Sequence, residues 1–273
     1  MGGKANIKLI NILKKVVFKY KICYKYDPPN LEGRSTEEDN CLIYKYGAAD
    51  NYEDFASGRV IYGGKGIPNY PVRLITEIFG RAMEYSKKKE GLIVYDPCCG
   101  GAYSLTILGF FYGENIGRIY GSDISEEMVT HARKNLNLLK NAGLDERKTE
   151  LEKLYSEFGK ISHKEAIESI DKLKEKLVKD IESECFAADC TKSLPDINPD
   201  IIITDIPYGN LVNWGGEGEL DVMMDNLLKI AGVDTVLAVS MDKSQKITSE
   251  GWKRVEKQNI GKRRFEILCK KHL

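Results

Sequence analysis

Residues that bind metals or form disulfides are too few or too scattered in this sequence to build a site of either kind. The seven cysteines are an odd number and include no Cys-x-x-Cys pair. Three histidines, at positions 131, 163 and 272, do not supply a zinc constellation. A disulfide-stapled secreted scaffold is excluded by the same arithmetic. We therefore expect no metal, and we interpret the adjacent Cys98 and Cys99 as small packing residues rather than nucleophiles.

Long apolar runs are missing as well. No stretch approaches the roughly 18 residues of a transmembrane helix, and the early apolar run at 7–17 is interrupted by Lys8, Lys14 and Lys15. No small-residue cleavage site follows that run, so a signal peptide is not expected. These absences predict a cytoplasmic protein that contacts no membrane, and we further expect a monomer.

An excess of charge of one sign is absent overall but present locally. The 273 residues carry 41 basic and 41 acidic side chains. Residues 1–26 hold seven lysines and no acid, residues 27–54 are mainly acidic, and residues 252–273 are mainly basic. Basic ends on a neutral chain indicate a polyanion partner that is contacted by part of the surface. A merely solvated terminus explains the N-terminal run equally well.

Short apolar runs alternate with helical patterns through most of the remaining chain. The predicted strands lie at 92–95, 118–122, 201–204, 235–239 and 265–268, with another that ends near 187. This alternation is typical of a parallel α/β sheet that is covered on both faces. Ligands of such sheets bind beyond the carboxyl ends of the strands, so the residues that end each strand are the functional candidates.

Two segments interrupt the alternation. Residues 1–57 are predicted to form an extension with basic and acidic parts, and residues 58–273 the main domain. Within that domain, residues 143–184 are highly charged but carry an apolar stripe at helical spacing. We expect this insertion to be a helical hairpin that packs on the edge of the domain.

The first predicted strand runs directly into the segment Asp96-Pro-Cys-Cys-Gly-Gly-Ala102. Gly100 and Gly101 allow the backbone to approach a ligand closely, and the next helix points its N-terminus at that ligand. The segment is not Gly-x-Gly-x-x-Gly, so a dinucleotide fingerprint is absent. The Asp96 carboxylate suits a cationic ligand better than a pyrophosphate, which it would repel. This favours S-adenosylmethionine, with its ammonium and sulfonium, over NAD.

Two further strand ends carry a carboxylate. Asp123 ends the second strand, at a position where it can accept hydrogen bonds from ribose hydroxyls. Asp189 follows the third strand, where it can accept a hydrogen bond from an adenine amine or simply cap a turn. The sequence supports these two interpretations of Asp189 about equally.

The fourth strand ends in Thr204-Asp-Ile-Pro-Tyr-Gly209. Pro207 fixes the backbone just past the strand and holds the Asp205 carboxylate beside the Tyr208 ring. A carboxylate accepts a proton from a base N–H, and an aromatic ring stacks on a base. The competing structural interpretation is a strand-ending turn with a partly buried tyrosine.

Together these strand ends resemble motifs I, II and IV of the class I S-adenosylmethionine-dependent methyltransferases, at Asp96–Gly101, Ser122-Asp123 and Asp205–Gly209. Further stretches are similar to the AviRa-type 23S rRNA guanine methyltransferases of avilamycin resistance, at Tyr70–Phe79, Leu105–Gly109, Ser156–Lys160 and Lys243–Ile247. The similarity runs from about Gly58 to the C-terminus. The resemblance implies a Rossmann-like class I methyltransferase fold with a central, mostly parallel seven-stranded sheet, and S-adenosylmethionine as cofactor.

The same resemblance implies roles for individual residues. The cofactor would be held by Asp96, Cys98, Gly100, Gly101, Asp123, Ile124, Asp189 and Asp205. The guanine would be held and activated by Asp205, Pro207 and Tyr208, with the carbonyl of Ile206 as an alternative acceptor for its N–H. Phosphates of 23S rRNA or of the large ribosomal subunit would be held by Arg73, Lys243, Lys246 and Arg263. For any single one of these basic residues, an ordinary solvated charge is the simpler interpretation.

Two alternatives stay open from the sequence. The first is a methyltransferase that acts on tRNA, DNA or a small molecule, because the fourth strand end does not separate RNA from DNA. The second is an RNA-binding module that has kept the fold and lost the activity. The presence of Asp96, Asp123 and Asp205 argues against this second alternative, since a decayed site should lose such residues first. A resistance role and a role in routine ribosome maturation are both compatible with the sequence.

Overall fold

The computed structural model describes residues 42–64, 70–206 and 219–271. The strands in this part of the chain are β1 Leu92–Asp96, β2 Ile116–Asp123, β3 Glu182–Ala187, β4 Ile201–Asp205, β5 Val236–Asp242, β6 Trp252–Ile260 and β7 Arg263–Lys270. They form one seven-stranded sheet in the order β3-β2-β1-β4-β5-β7-β6. The five strands β1 to β5 run parallel, whereas β7 pairs antiparallel with both β5 and β6. This sheet confirms the predicted fold class.

Helices connect the strands and cover the sheet. They are α1 Val72–Tyr85, α2 Tyr103–Tyr112, α3 Glu126–Asn137, α4 Asn141–Phe158, α5 Ile161–Lys176 and α6 Glu219–Ile230. The helix α1 starts directly after Pro71, whose fixed backbone suits a helix start. The helix α3 is capped by the Ser125 hydroxyl, which accepts the N–H of Met128.

The strand order predicts a ligand-binding crevice between the central strands β1 and β4. The chain proceeds outward from β1 through β2 to β3, then returns to the other side of β1 and proceeds outward again through β4 and β5. The order therefore reverses between β1 and β4, and a crevice opens there at the carboxyl ends of the strands. Asp96 ends β1 and Asp205 ends β4, so both acids lie at this crevice.

The core lies on both faces of the central strands. In β4 the residues from Ile201 to Thr204 are all buried, and β5 is buried from Val236 to Met241. A strand that is covered on both faces consists of continuous apolar residues rather than an alternating pattern. Because each fully buried Ile, Leu or Val contributes about 1.5–3 kcal/mol, these strands form a rigid base for the residues at their ends.

The strand β6 was not singled out from the sequence. Its residues Lys253, Arg254 and Lys257 are exposed, while Trp252 is buried and donates its indole N–H to the Met224 carbonyl at 3.0 Å. Among the described strands it lies at the sheet edge, where it pairs with β7 alone. Charged side chains are common on edge strands because they discourage pairing with other chains, and they hide the strand pattern.

The insertion consists of α4 and α5, which confirms the helical hairpin. Gly159 ends α4 in the left-handed region at φ 62°, where glycine carries no steric cost. The predicted interval 143–184 includes the first residues of β3, so the hairpin is shorter than expected. The helix α5 begins at Ile161 without a side-chain cap.

Residues 42–64, which include the last part of the predicted extension, pack on the sheet domain. A short 3₁₀ turn at Glu53–Phe55 buries the Phe55 ring, and Val60 and Ile61 are also buried in the main core. Phe55 contacts Phe111 with ring centres 5.0 Å apart. Residues 1–41 lie outside the described residues.

Candidate active site

The segment after β1 is a turn that is tied to the end of β2. Asp96 accepts the N–H of Cys98 at 3.0 Å, and Cys99 donates its N–H to the Ser122 carbonyl at 2.9 Å. Gly100 has φ 51°, in the left-handed region, and donates its N–H to Asp123 Oδ2 at 3.0 Å. A Cβ at Gly101 would lie 2.7 Å from the His131 ring. Both glycines are therefore required by the shape of the turn.

Asp123 lies at the end of β2 and joins two loops. Its Oδ1 accepts the N–H of Ser125 at 2.9 Å, while its Oδ2 accepts the N–H of Gly100. The neighbouring Ile124 side chain is 73% exposed, which is unusual for a large apolar residue. The turn after β1 and the end of β2 thus present a carboxylate and an apolar surface side by side, as a nucleoside site requires.

Asp189 caps a turn after β3. Its Oδ1 accepts both the N–H of Thr191 at 3.0 Å and the Thr191 hydroxyl at 2.6 Å, and its Oδ2 lies 3.4 Å from the Lys192 ammonium. The Thr191 hydroxyl and these other partners lower the pKa of the Asp189 carboxyl. This geometry matches the turn-capping interpretation, and a contact with adenine stays a prediction.

Asp205 lies at the end of β4, directly across the crevice from β1. Its Oδ1 is buried and hydrogen-bonds no group in the described part of the chain, and its Oδ2 lies 3.9 Å from Arg263 Nη1. Burial raises the pKa of Asp205 to about 6, although the Arg263 guanidinium acts in the opposite direction. A raised pKa near neutrality suits a group that accepts a proton during a reaction.

The pKa of Asp96 is raised further than that of Asp205. Its side chain is 5% exposed, and burial raises its pKa to about 7, with the Asp205 and Asp123 carboxylates adding to the rise. Three carboxylates therefore lie together at neighbouring strand ends, and their mutual repulsion adds to the effect of burial on Asp96. A cationic group close to Asp96 would favour its charged form and lower its pKa, whereas a phosphate would be repelled.

One cavity joins Asp96 and Asp205. Its lining consists of Tyr70, Ile75, Ile78, Asp96, Ser104, Ile203, Thr204, Asp205 and Ser240. Neither Tyr70 nor Ser240 belongs to a predicted site residue set. Ser240 has a sequence signal, because it directly follows the predicted apolar strand at 235–239. In the structure it is the register partner of Asp205.

Cys98 and Cys99 each face a second thiol. The Sγ atoms of Cys98 and Cys190 are 3.7 Å apart, and so are those of Cys99 and Cys185. All four cysteines are free and at least partly buried. These contacts match the packing role expected from the sequence, and a contact of Cys98 with a cofactor stays a prediction.

The four basic residues predicted to contact RNA differ in their surroundings. Arg73 donates to the Gly47 carbonyl at 3.0 Å and lies 3.8 Å from the centre of the Tyr44 ring, so its guanidinium is used within the protein. Lys243 and Lys246 are exposed in the loop after β5. Arg263 faces Asp205 and is only partly exposed.

A buried arginine supports the loop that carries Lys243 and Lys246. Arg264 is 7% exposed and donates to the carbonyls of Lys243, at 3.2 Å, and Gln245. The Lys243 N–H in turn donates to the Lys262 carbonyl at 3.2 Å. The loop is therefore held to the turn between β6 and β7, close to the end of β4. The sequence does not indicate this role, because Arg264 is one of three consecutive basic residues, with Lys262 and Arg263.

Some predicted features lie outside the described residues, among them Pro207 and Tyr208. Within the described ranges, no group of three or more His, Cys, Asp or Glu residues could hold a metal ion. No helix in those ranges is long and apolar enough to cross a membrane.

Comparisons with known proteins identify the family. The model of the rRNA methyltransferase AviRa family matches residues 42–263. The chain is 33% identical over 226 residues to the 23S rRNA (guanine(2535)-N(1))-methyltransferase of Streptomyces viridochromogenes, and the alignment covers 77% of this chain and 88% of that protein.

Solved structures agree with this result. Two structures of the rRNA methyltransferase AviRa from Streptomyces viridochromogenes superimpose with TM-scores of 0.76 and 0.74, at 30% and 31% identity. Each covers 83% of this chain and 96% of the other. The resemblance that the strand ends suggested is thereby confirmed. The chain belongs to the AviRa family of rRNA methyltransferases.

Proposed function

We propose that this protein transfers a methyl group from S-adenosylmethionine to a ring nitrogen of a guanine in 23S rRNA. The observation that carries the proposal is the pair Asp96 and Asp205, which share one cavity at the point where the strand order reverses. Asp96 is positioned for the methyl donor and Asp205 for the guanine that accepts the methyl group. The printed activity of the Streptomyces viridochromogenes relative supports the choice of guanine and of 23S rRNA.

The end of β1 and the end of β2 fit the cofactor. Asp96 is a buried acid with one N–H donor, and Asp123 lies beside the positive-φ turn at Gly100. We assign these residues and Gly101 to the cofactor, joined by Cys98, Ile124, Asp189 and Asp205 as the family resemblance implies. When bound, S-adenosylmethionine supplies a methyl group activated by a sulfonium. The Asp96 carboxylate would balance positive charge of this ligand.

Asp205 is assigned to the base. A guanine ring nitrogen is a weak nucleophile, because a proton occupies it or its lone pair is delocalised. Asp205 Oδ1, which lacks a described partner, would accept that proton as the new bond forms. Its pKa of about 6 leaves most of the carboxylate ionised at neutral pH. Positioning and exclusion of water supply the remaining rate enhancement.

Recognition of the RNA is assigned to residues around this crevice. Pro207 and Tyr208 would hold the guanine after it has left its stack. Lys243, Lys246 and Arg73 would face phosphates of 23S rRNA or of the large ribosomal subunit, whereas Arg263 faces Asp205 instead. Of these, the exposed Lys243 and Lys246 on the braced loop have the best geometry for that role. We place this activity in the cytoplasm and assign it to a monomer.

A substrate panel tests the proposal. Methyl-labelled S-adenosylmethionine is incubated with the protein and, in parallel, with protein-free 23S rRNA, large subunits, tRNA and duplex DNA. We expect label in 23S rRNA or large subunits, and digestion to nucleosides then identifies the base and the nitrogen. Label only in tRNA or DNA would contradict the substrate. No label in any arm, while calorimetry detects cofactor binding, would favour the inactive RNA-binding module.

A further inference from the structure

The guanidinium of Arg263, which lies outside the family motifs, reaches Asp205, the proposed proton acceptor. Arg263 begins β7, which is separated from β4 by β5 in the sheet. Its Nη1 nevertheless lies 3.9 Å from Asp205 Oδ2. The side chain thus crosses β5 at the carboxyl edge of the sheet and points toward the Asp205 carboxylate.

The Tyr70 ring supports this guanidinium. The Arg263 guanidinium carbon lies 5.3 Å from the centre of the ring, within the range of a cation–π contact. Tyr70 is 6% exposed, and its hydroxyl hydrogen-bonds the Ser240 hydroxyl. Ser240 is itself the register partner of Asp205. Tyr70, Ser240 and Asp205 therefore form one connected wall of the cavity, with Arg263 against it.

On the basis of the proposed function, we propose that Arg263 is a positioning residue for the Asp205 carboxylate and that Tyr70 holds the guanidinium in place. The pair keeps the carboxylate ionised and facing the cavity, ready for the target base. In the reaction, the N–H bond of the ring nitrogen breaks, its proton goes to Asp205, and its electron pair remains on the nitrogen for the new N–C bond. The methyl carbon would lose its bond to the cofactor sulfonium, and that electron pair would stay on the sulfur, which would leave as a neutral thioether.

The charges around Asp205 set the direction of the effect. Among the described residues, Asp96 faces it from β1 and Arg263 from β7, while Tyr70 and Ser240 are neutral neighbours. Burial raises the pKa of Asp205, and Arg263 opposes this rise. Loss of the guanidinium would therefore raise the pKa of Asp205 further above its ordinary value, so the carboxylate would be protonated at a higher pH.

The pH dependence of kcat/KM distinguishes this role from a phosphate contact. Methylation of 23S rRNA is measured from pH 5 to pH 9 for the wild type, R263Q and R263K. The acid limb of kcat/KM reports the free enzyme, and we expect R263Q to shift it upward by about one unit. Because the pKa of Asp205 is about 6 in the wild type, the loss is then about fivefold at pH 6, about tenfold at pH 5 and small at pH 8, with R263K closer to the wild type.

A matched control lies on the same hairpin. Arg254 is exposed and pairs with Glu266 at 3.4 Å, and Arg263 is the charge that acts on the pKa of Asp205, so R254Q should keep the wild-type pH profile. Y70F keeps the ring and should also keep the profile, whereas Y70L should shift it in the direction of R263Q. Calorimetric titration with S-adenosylmethionine shows whether each variant is folded and still binds cofactor.

Two results would overturn the inference. R263Q could lower kcat/KM by the same factor at every pH and reduce its salt dependence, as the loss of a phosphate contact does. R254Q could shift the acid limb as much as R263Q does, which would show a general effect of hairpin charge. Failure of the proposed function is a separate outcome, because the wild type itself would then transfer no label to 23S rRNA.

Discussion

Two buried carboxylates in this protein have opposite electrostatic properties. Glu77 in α1 is fully buried, and Asp96 at the end of β1 is almost as buried. Burial raises the pKa of both groups, yet in Glu77 the N–H donors outweigh burial and lower the pKa overall, whereas the pKa of Asp96 rises to about 7. Burial alone therefore does not explain the difference.

The number of donors explains it. Glu77 accepts the N–H groups of Lys45, Tyr46 and Gly47 at 2.6–3.0 Å, and Arg81 Nε lies 2.6 Å from its Oε1. Asp96 accepts one N–H, from Cys98; the Thr204 hydroxyl also lowers its pKa, but the Asp205 and Asp123 carboxylates raise it. A buried charge with enough donors is a structural joint, and here it fastens residues 45–47 to α1. A buried charge with too few donors is costly, and the site keeps it where a ligand can supply the missing positive charge.

Asp205 is the second poorly compensated acid, and its removal should have the largest effect. Asp205→Asn keeps the shape but cannot accept a proton, so we expect methyl transfer to fall about 10²- to 10⁴-fold. Cofactor affinity should fall far less than methyl transfer, and the free energy of unfolding should not fall, because burial also raises the pKa of this carboxyl. Single-turnover transfer of label and calorimetry measure the two properties separately. Wild-type turnover in this variant would remove Asp205 from the chemistry.

Removal of the charge of Glu77 should damage the fold instead. Glu77→Gln removes one of the two carboxylates paired with the buried Arg81, the other being Glu256, and places an amide against backbone N–H groups, so we expect a loss of about 3 kcal/mol in the free energy of unfolding. Urea denaturation measures this loss. The control is Glu84→Gln on the same helix, where a partly exposed carboxylate lies 3.7 Å from the Lys45 ammonium. That variant should change stability by less than about 1 kcal/mol, and equal losses in both would refute the comparison.

Asp96→Asn should do the opposite of Glu77→Gln and stabilise the ligand-free protein. Above about pH 7 the folded protein carries the full cost of an ionised, buried Asp96, and this cost disappears below about pH 4, where the carboxyl is protonated in the folded and unfolded chains alike. We expect a gain of about 1–3 kcal/mol at pH 8 and none at pH 4. Thermal unfolding at both pH values measures it.

Cofactor affinity should decrease in this variant, although the free energy of unfolding increases. The same Asp96→Asn variant should bind S-adenosylmethionine about 10- to 100-fold more weakly, as expected when a charged hydrogen-bonding partner is lost. A variant that is less stable than the wild type at pH 8 and binds the cofactor normally would show that Asp96 is a structural residue like Glu77.

The sequence was sufficient for the sheet and for the strand ends, for a physical reason. Buried parallel strands are short apolar runs, and ligand-binding residues follow them directly, so β1, β2, β4 and β5 and the residues Asp96, Asp123 and Asp205 could be placed without coordinates. The edge strand β6 could not be predicted, because its exposed, charged side chains hide the apolar pattern of a strand.

Contacts between residues that are distant in the chain were beyond sequence reasoning. Tyr70 and Arg263 are separated by nearly the whole domain, yet they meet above Asp205. Glu77 looked like one polar residue on an amphipathic helix, and only the fold brings the N–H groups of residues 45–47 to it. Arg264 likewise differs from Arg263 only in the direction that its side chain takes from the strand. Such roles depend on three-dimensional neighbours, which a local pattern does not specify.

The titration of Asp96 tests the central claim most directly. The carboxyl carbon of Asp96 is followed by carbon-13 NMR as a function of pH, first in the free protein and then with saturating S-adenosylmethionine. We predict a pKa near 7 in the free protein and a decrease of at least about one unit when the cationic ligand is bound. A pKa near 4 in the free protein, or one that the ligand does not change, would contradict the account.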